Sequence, residues 1–274
     1  MTADALIKRI SQRLEAITPE ASFESKCLAE HFLDISLEDV ILKKDVGEPD
    51  FSEIDAAIAK RQSGVPLQHI LGKWEFMGFE FLVNDSVLIP RPETELLVEY
   101  FADKLCADSL VYDLCAGSGC IGISLSRISG AKVLAFEKYP DAVAVLEENI
   151  SLHPCEVTAV TLDITQKPSL SLEKADVIVS NPPYIESTLI PSLQKEVLHE
   201  PLTALDGGED GLQFYRAIAE NFIDCLKPSG WLGVEIGEGQ AESVISVFSK
   251  LQYVETVFDY NVIPRIIIFR KVNQ

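Results

Sequence analysis

The sequence predicts an α/β fold: a doubly wound, mostly parallel seven-stranded sheet preceded by a small helical bundle. Three observations carry this. From Leu110 onward, short apolar runs alternate with helical stretches, the pattern of parallel strands covered on both faces by their connecting helices. Roughly the first 70 residues show helical spacing and no strand signal. The last two strand candidates are joined only by Asp259-Tyr260-Asn261-Val262, which allows a hairpin and no crossover helix, so one of them runs antiparallel.

Taken in order, Leu6, Ile10, Leu14 and Ile17 place an amphipathic helix over 2–17. A second helix is expected over about 22–34, after Pro19. Ser36-Leu37-Glu38-Asp39 and Ser52-Glu53-Ile54-Asp55 read as capping signals for a third and a fourth, the last stopping near Gly64. The aromatic stretch Trp74–Val83, interrupted by Gly78, predicts a β-hairpin. Ile89–Thr94 is a stiff loop, and Pro92 opens a helix running to about Cys106. Strands are expected at 110–114, 131–136, 156–162, 175–180, 230–236, 252–258 and 263–270, with helices at about 119–128, 140–152, 210–225 and 239–250. The expected division is a helical bundle over 1–72, a hairpin linker over 73–90 and the α/β domain over 91–274.

Composition narrows the function. With 23 Lys+Arg against 43 Asp+Glu, the formal net charge is −20. Such a surface repels phosphate backbones, so a protein or small-molecule substrate is favoured over direct nucleic-acid binding. No window has the length and apolarity of a membrane span, and Met1-Thr2-Ala3-Asp4 does not open a secretory leader, so a cytoplasmic protein without membrane contact is expected. The six cysteines are scattered and form no CxxC pair, and the four histidines are dispersed. They read as buried reduced thiols, with no disulfide framework and no metal site expected.

After the first strand of the α/β region comes Asp113-Leu114-Cys115-Ala116-Gly117-Ser118-Gly119-Cys120-Ile121-Gly122. Small residues let the backbone turn tightly and approach a ligand in front of a helix N-terminus. Glu137 ends the next strand, where a carboxylate accepts hydrogen bonds from ribose hydroxyls. Loop and acid together fit either a dinucleotide or S-adenosylmethionine. Asp113 favours the second, since a carboxylate there suits a methionine ammonium and repels a pyrophosphate. A tight turn with no ligand is the bland alternative.

The strand Val177–Ser180 runs straight into Asn181-Pro182-Pro183-Tyr184. In an open α/β sheet, ligands sit beyond the carboxyl ends of the strands. An amide or aromatic-amine nitrogen is a poor nucleophile because its lone pair is delocalised. Two acceptors, the Asn181 side-chain oxygen and the Pro182 carbonyl, can hold its two N–H groups and favour pyramidalisation. The prolines stiffen the loop, and Tyr184 can stack on the flat group. The bland alternative is a proline-rich turn in which Asn181 bonds its own backbone.

These residues resemble a known family. Asn181-Pro182-Pro183-Tyr184 is the signature of amino- and amide-directed class I methyltransferases. Ile89-Pro90-Arg91-Pro92-Glu93-Thr94-Glu95, Gln68–Gly72, Glu200-Pro201 and Ala204–Leu212 resemble segments of the release factor glutamine methyltransferases (PrmC, also called HemK). The resemblance implies methylation of the glutamine in the Gly-Gly-Gln motif of peptide chain release factors, with S-adenosylmethionine as cofactor and S-adenosylhomocysteine as product. It implies a seven-stranded sheet with an antiparallel final strand. It assigns Cys115, Ala116, Gly117, Ser118 and Gly119 to the cofactor loop, Glu137 to the ribose, Ile164 and Asp163 to the adenine, and Asn181 to Tyr184 to the substrate. Here Cys115 stands where the family usually has Gly, and Glu137 where it often has Asp. Arg91, Glu93 and Thr94 either border the substrate entrance or form a helix cap with a surface ion pair. The bundle either recognises the protein partner or caps the fold. Two other functions fit parts of the pattern: an adenine amino DNA methyltransferase, which needs a basic groove, and a cofactor-binding module without catalysis.

Overall fold

The computed structural model describes residues 1–168 and 172–272. The chain forms two compact units, Met1–Gly72 with Lys195–His199, and Lys73–Gln194 with Glu200–Gln274.

The first unit is helical: α1 (Ala3–Leu14), α2 (Ala21–Leu33), α3 (Leu37–Ile41), α4 (Ser52–Gln62) and α5 (Leu67–Leu71). Leu6, Ile10 and Leu14 are fully buried along one stripe of α1, as their spacing requires. The expected capping box opens α3: Ser36 Oγ accepts from Asp39 N at 3.2 Å, and Asp39 Oδ2 accepts from Ser36 N at 3.1 Å. The expected Ser52 cap of α4 does not form. Asp50 Oδ1 accepts from Ser52 N at 2.9 Å, so the acid two residues earlier satisfies that donor and Ser52 is already helical. The short α5, closed by Gly72 at φ 72°, has too few residues to show a period in the sequence. Inside this unit Glu24 takes a bidentate pair from Arg61 at 2.8 and 2.9 Å, and Arg61 also reaches Glu196 at 3.0 Å.

The second unit begins with the hairpin β1 (Lys73–Phe76) and β2 (Phe79–Leu82). Its two-residue turn, Met77-Gly78, has φ of 53° and 73°, the backbone twist that suits a tight hairpin. Phe76 and Phe81 are buried in this unit's own core. Then follow α6 (Pro92–Ala102), β3 (Leu110–Leu114), α7 (Cys120–Ser129), β4 (Lys132–Glu137), α8 (Pro140–Leu152), β5 (Val157–Thr161), β6 (Ala175–Ser180), α9 (Gln213–Asn221), β7 (Leu226–Glu235), α10 (Ala241–Val247), β8 (Gln252–Phe258) and β9 (Pro264–Arg270). The sheet order is β5-β4-β3-β6-β7-β9-β8. β9 runs antiparallel to both of its neighbours, and the other pairings are parallel.

Alternate residues of the strands feed two cores, one on each face. Val111, Val133, Val177, Ile266 and Ile268 meet Leu97, Phe101 and Ile123 of α6 and α7. Tyr112, Phe136, Ile178, Leu232 and Ile267 meet Tyr215, Phe222 and Phe248 on the other side. Several helix ends fall short of expectation by a few residues, as at Ala102 of α6, and two departures have a visible shape. β7 starts at Leu226 and not at 230, because the sheet carries the turn-like Pro228-Ser229-Gly230 as an irregularity between the Ala175–Leu226 and Val177–Trp231 pairs. The helix expected over 210–225 is shortened to α9 and a single tight turn at Ile223–Cys225.

The chain enters the sheet at β3, builds outward to β5, and returns to β6 on the other side of β3. The carboxyl ends of β3 and β6 are therefore the point where strand order reverses, and connections leave in opposite directions to open a crevice. Ser180 Oγ donates to Leu114 O at 2.7 Å and locks these two ends together.

Candidate active site

A cleft enclosing about 860 Å³ of empty space, its open mouth included, lies at this reversal. Its walls include Cys115, Ala116, Gly117 and Ser118 after β3, Glu137 after β4, Asp163 and Ile164 after β5, and Asn181 and Pro183 after β6. Residues 66 positions apart in sequence, from Cys115 to Asp163 and on to Asn181, thus face one space because successive parallel strands end side by side.

The loop after β3 turns by alternating left-handed residues: Cys115 at φ 62°, Gly117 at 53° and Gly119 at 82°. Gly119 closes the turn by donating to Ala116 O at 2.8 Å. A Cβ on Gly119 would lie 2.4 Å from Leu146 Cδ1, so α8 packs where a side chain would stand. Cys115 bears a side chain at a backbone angle that favours glycine. Burial, then the Glu137 and Asp113 carboxylates, push its thiol well up, which keeps it protonated.

Glu137 is 8% exposed and rigidly held. Its Oε2 accepts from Gly117 N at 3.0 Å, and its Oε1 from Lys138 N at 2.7 Å and Tyr139 N at 3.0 Å. Oε2 keeps a second lone pair for a ligand hydroxyl, while both lone pairs of Oε1 are taken. Asp163 also faces the cleft but is engaged by Thr165 Oγ1 at 2.6 Å and Lys138 Nζ at 2.9 Å. Ile164 is 4% exposed and offers an apolar wall.

Asp113 does not behave as the sequence predicts. It lies on the face of β3 that meets α7, is fully buried, and is not among the cleft-lining residues. Its Oδ2 accepts from Gly122 N at 2.8 Å, while Oδ1 has no hydrogen-bond partner among the described residues. Burial pushes its pKa up to about 7. A Cβ on Gly122 would stand 2.9 Å from the same carboxylate, so this glycine belongs to strand–helix packing. Gly119, too, lies outside the cleft wall and serves the turn.

Asn181 faces the cleft, and its Nδ2 donates to Thr94 Oγ1 at 3.1 Å. Pro182 is buried, and neither it nor the half-buried Tyr184 lines the cleft. Tyr184 packs against the core on the α9 side and its hydroxyl pKa is raised by burial, which corrects the expectation of a ring standing in the pocket. The backbone behind it is braced: Gln240 Nε2 donates to Tyr184 O at 2.9 Å, Ile185 N to Leu205 O at 3.0 Å and Gly207 N to Ile185 O at 2.8 Å. The Gly207–Gly211 segment is therefore a support of the Asn181–Tyr184 loop.

Arg91 and Thr94 also border the cleft. The alternative of a surface ion pair at Arg91 is excluded, since its partner Glu200 is 6% exposed and also accepts from Ile89 N at 3.0 Å. Sequence reasoning missed Glu235, which is 2% exposed at the end of β7 and accepts from Thr94 Oγ1 at 2.6 Å. No local pattern marks it; the only sign is an acid closing the apolar strand Trp231–Val234. The expectation that the cysteines are buried is corrected: Cys120 is buried, Cys106 is exposed, and Cys27, Cys115, Cys155 and Cys225 are partly exposed, with all six unpaired.

The sheet order and the cleft at its reversal define a methyltransferase fold. Solved structures agree at the level of fold: a methyltransferase from Pyrococcus furiosus superposes with TM-score 0.56 at 16% identity, covering 81% of this chain and all of that one. A 16S rRNA N2 G1207 methyltransferase from Thermus thermophilus gives 0.51 at 18%, covering 73% of this chain and 49% of that one. The PrmC N-terminal domain family matches residues 5–72 and the methyltransferase small domain family residues 92–211. The release factor glutamine methyltransferase of Geobacter sulfurreducens is 42% identical over 214 residues, 77% of this chain and 75% of the relative. That of Clostridium acetobutylicum is 35% identical over 276 residues, 97% and 96% of the two chains. The chain belongs to the release factor glutamine methyltransferase family.

Proposed function

We propose that this protein transfers a methyl group from S-adenosylmethionine to the side-chain amide nitrogen of the glutamine in the Gly-Gly-Gln motif of peptide chain release factors. The observation that carries the reading is Asn181, an amide acceptor facing the same cleft as the Cys115–Ser118 loop and Glu137. Family membership supplies the substrate. The cytoplasm, where release factors work, is the assigned compartment; among the described residues no helix is long and apolar enough to cross a membrane. The helical bundle over 1–72 is assigned to recognition of the protein partner, with no direct nucleic-acid or membrane contact.

The cleft suits the cofactor. Glu137 is held in place by three backbone N–H groups, with one lone pair on Oε2 to spare for a ribose hydroxyl. Ile164 and Leu162 offer apolar walls for an adenine. Two cations border the cleft, and each is matched by a carboxylate: Lys138 by Asp163 and Arg91 by Glu200. A pyrophosphate would meet no free cation from either, which favours S-adenosylmethionine over a dinucleotide. Bound there, the cofactor supplies an electrophilic methyl whose C–S bond breaks as the C–N bond forms, leaving S-adenosylhomocysteine. The protein's own part is positioning. Asn181 Oδ1 accepts an amide N–H of the substrate. The nitrogen is thereby oriented, and its proton leaves to solvent after attack.

The test is incubation with labelled S-adenosylmethionine and a purified release factor, with mass spectrometry of the product. The methyl is expected on the Gly-Gly-Gln glutamine. Asn181→Ala is expected to lower kcat by about a hundredfold or more while cofactor binding persists. Label on another residue type, or parental activity in that variant, overturns the reading.

A further inference from the structure

An asparagine amide has two ends of nearly the same shape, one an acceptor and the other a double donor. Only the acceptor end can hold a substrate N–H, so the role proposed for Asn181 requires something that chooses between them. The choice is visible beside Asn181, in Thr94 at the cleft wall and Glu235 behind it. Asn181 Nδ2 donates to Thr94 Oγ1 at 3.1 Å, and Thr94 Oγ1 donates to Glu235 Oε2 at 2.6 Å. Thr94 and Glu235 are each 2% exposed, so exchange with bulk water does not substitute for either bond.

The logic follows from counting hydrogens. A threonine hydroxyl has one. An ionised carboxylate can only accept, so it claims that hydrogen and leaves Thr94 with lone pairs alone. Thr94 can then accept from an Asn181 N–H but cannot donate to Asn181 Oδ1. The amide is thereby turned with its oxygen away from Thr94. A protonated Glu235 reverses this: it donates to Thr94, whose hydrogen is released toward Asn181 and stabilises the flipped amide.

We propose that Glu235 and Thr94 are positioning residues for methyl transfer, which set the orientation of the Asn181 amide through a one-way hydrogen-bond relay. The inference rests on the reading of Asn181 given above. The location supports it. A buried carboxylate is costly, and an apolar side chain at the end of β7 would pack at lower cost. Instead an acid sits there, joined to α6 through Thr94 and to the β6 loop through Asn181. The groups around Glu235 come from the neighbouring elements: Arg91 and Glu93 beside Thr94, Cys120 from α7, Tyr184 from the loop, Tyr215 from α9 and Arg265 from β9. Burial raises its pKa to about 7, the Thr94 bond opposes this, Glu93 adds to it, and Arg265 and Arg91 oppose it. The relay is therefore set above about pH 7 and released as pH falls below it.

The test uses the full chain with saturating S-adenosylmethionine and a release factor. Thr94→Val and Glu235→Gln are expected to lower kcat by about 10- to 100-fold with little change in cofactor Kd. Thr94→Ser, which keeps the hydroxyl, is expected to stay within about threefold. Thr94→Val is expected to add no loss on the Asn181→Ala background, because both remove one device. The parent's kcat is expected to fall as pH drops below about 7, and Glu235→Gln to lack that acid limb. A brace that merely ties α6 to β7 would lower Tm in both backgrounds alike and leave the pH profile unmoved. Parental kcat in folded Thr94→Val, additive losses in the double variant, or an acid limb that survives in Glu235→Gln each overturn the relay. Should Thr94→Val fail to bind cofactor, the two pH profiles decide alone. Parental activity of Asn181→Ala would sink the proposed function itself and the relay with it; an inactive Asn181→Ala beside an active Glu235→Gln sinks the relay only.

Discussion

Asp113 shows how a single side chain changes meaning once its surroundings are known. In the sequence it is an acid at the end of a strand beside a ligand loop. In the structure it is buried under that loop with one oxygen bonded to Gly122 N and the other without a partner among the described residues. Its pKa is raised from 3.8 to about 7 by burial. The native state therefore holds a proton that the unfolded chain releases. The stability tied to that proton is full below about pH 4 and is lost as pH rises through about 7. Asp113→Asn removes the titration and keeps an acceptor for Gly122. Its melting temperature relative to the parent, measured without cofactor, is expected to climb steadily between pH 5 and about 7.5. Parallel pH curves for the two proteins would refute the assignment. Cys115 teaches the complementary lesson. Its identity gave no hint of φ 62°, because a left-handed angle at a side-chain-bearing residue is imposed by the turn around it.

At the scale of elements, most of the fold was legible because it rests on local pattern. The strands β3 to β6, with their alternation or continuous apolar runs, and the proline-started helices α6 and α8 fall close to where spacing puts them. Element ends failed where a competing local group intervened, as with Asp50 at the start of α4 and the irregularity inside β7. The Gly207–Gly211 segment was legible as turns but not as a support. Gly211 sits at φ 69°, and a Cβ there would lie 2.4 Å from Tyr184 O and 2.6 Å from Gln240 Nε2. Gly211→Ala is therefore expected to displace the Asn181–Tyr184 loop and lower kcat at least about tenfold. Gly78→Ala bears the same kind of backbone strain, at φ 73°, but its Cβ would meet nothing within 4 Å. It is expected to cost about 1 kcal/mol of stability without a comparable loss of kcat. Equal kinetic effects of the two substitutions would argue that the support is not specific.

For the whole molecule, charge and topology act together. A formal charge of −20 opposes the approach of a phosphate backbone. Unmethylated duplex DNA is accordingly expected to take label from S-adenosylmethionine at less than about a hundredth of the rate of a release factor, at physiological salt. Comparable labelling of DNA would restore the rival reading of the Asn181–Tyr184 segment. What the sequence by itself determined was contiguous chemistry: the fold class, the small-residue turn after β3, the acid after β4 and the asparagine–proline corner after β6. Each is carried by neighbours along the chain, and a periodic or turn-forming segment imposes its structure wherever it sits. What only the tertiary structure decided was partnership across distance. Thr94 and Glu235 are 141 residues apart and meet because β7 lies beside β6 beneath α6. Asp113 and Tyr184 turned inward for the same reason: which face of a strand or loop meets the cleft depends on what packs against the other side, and that is a property of the assembled sheet.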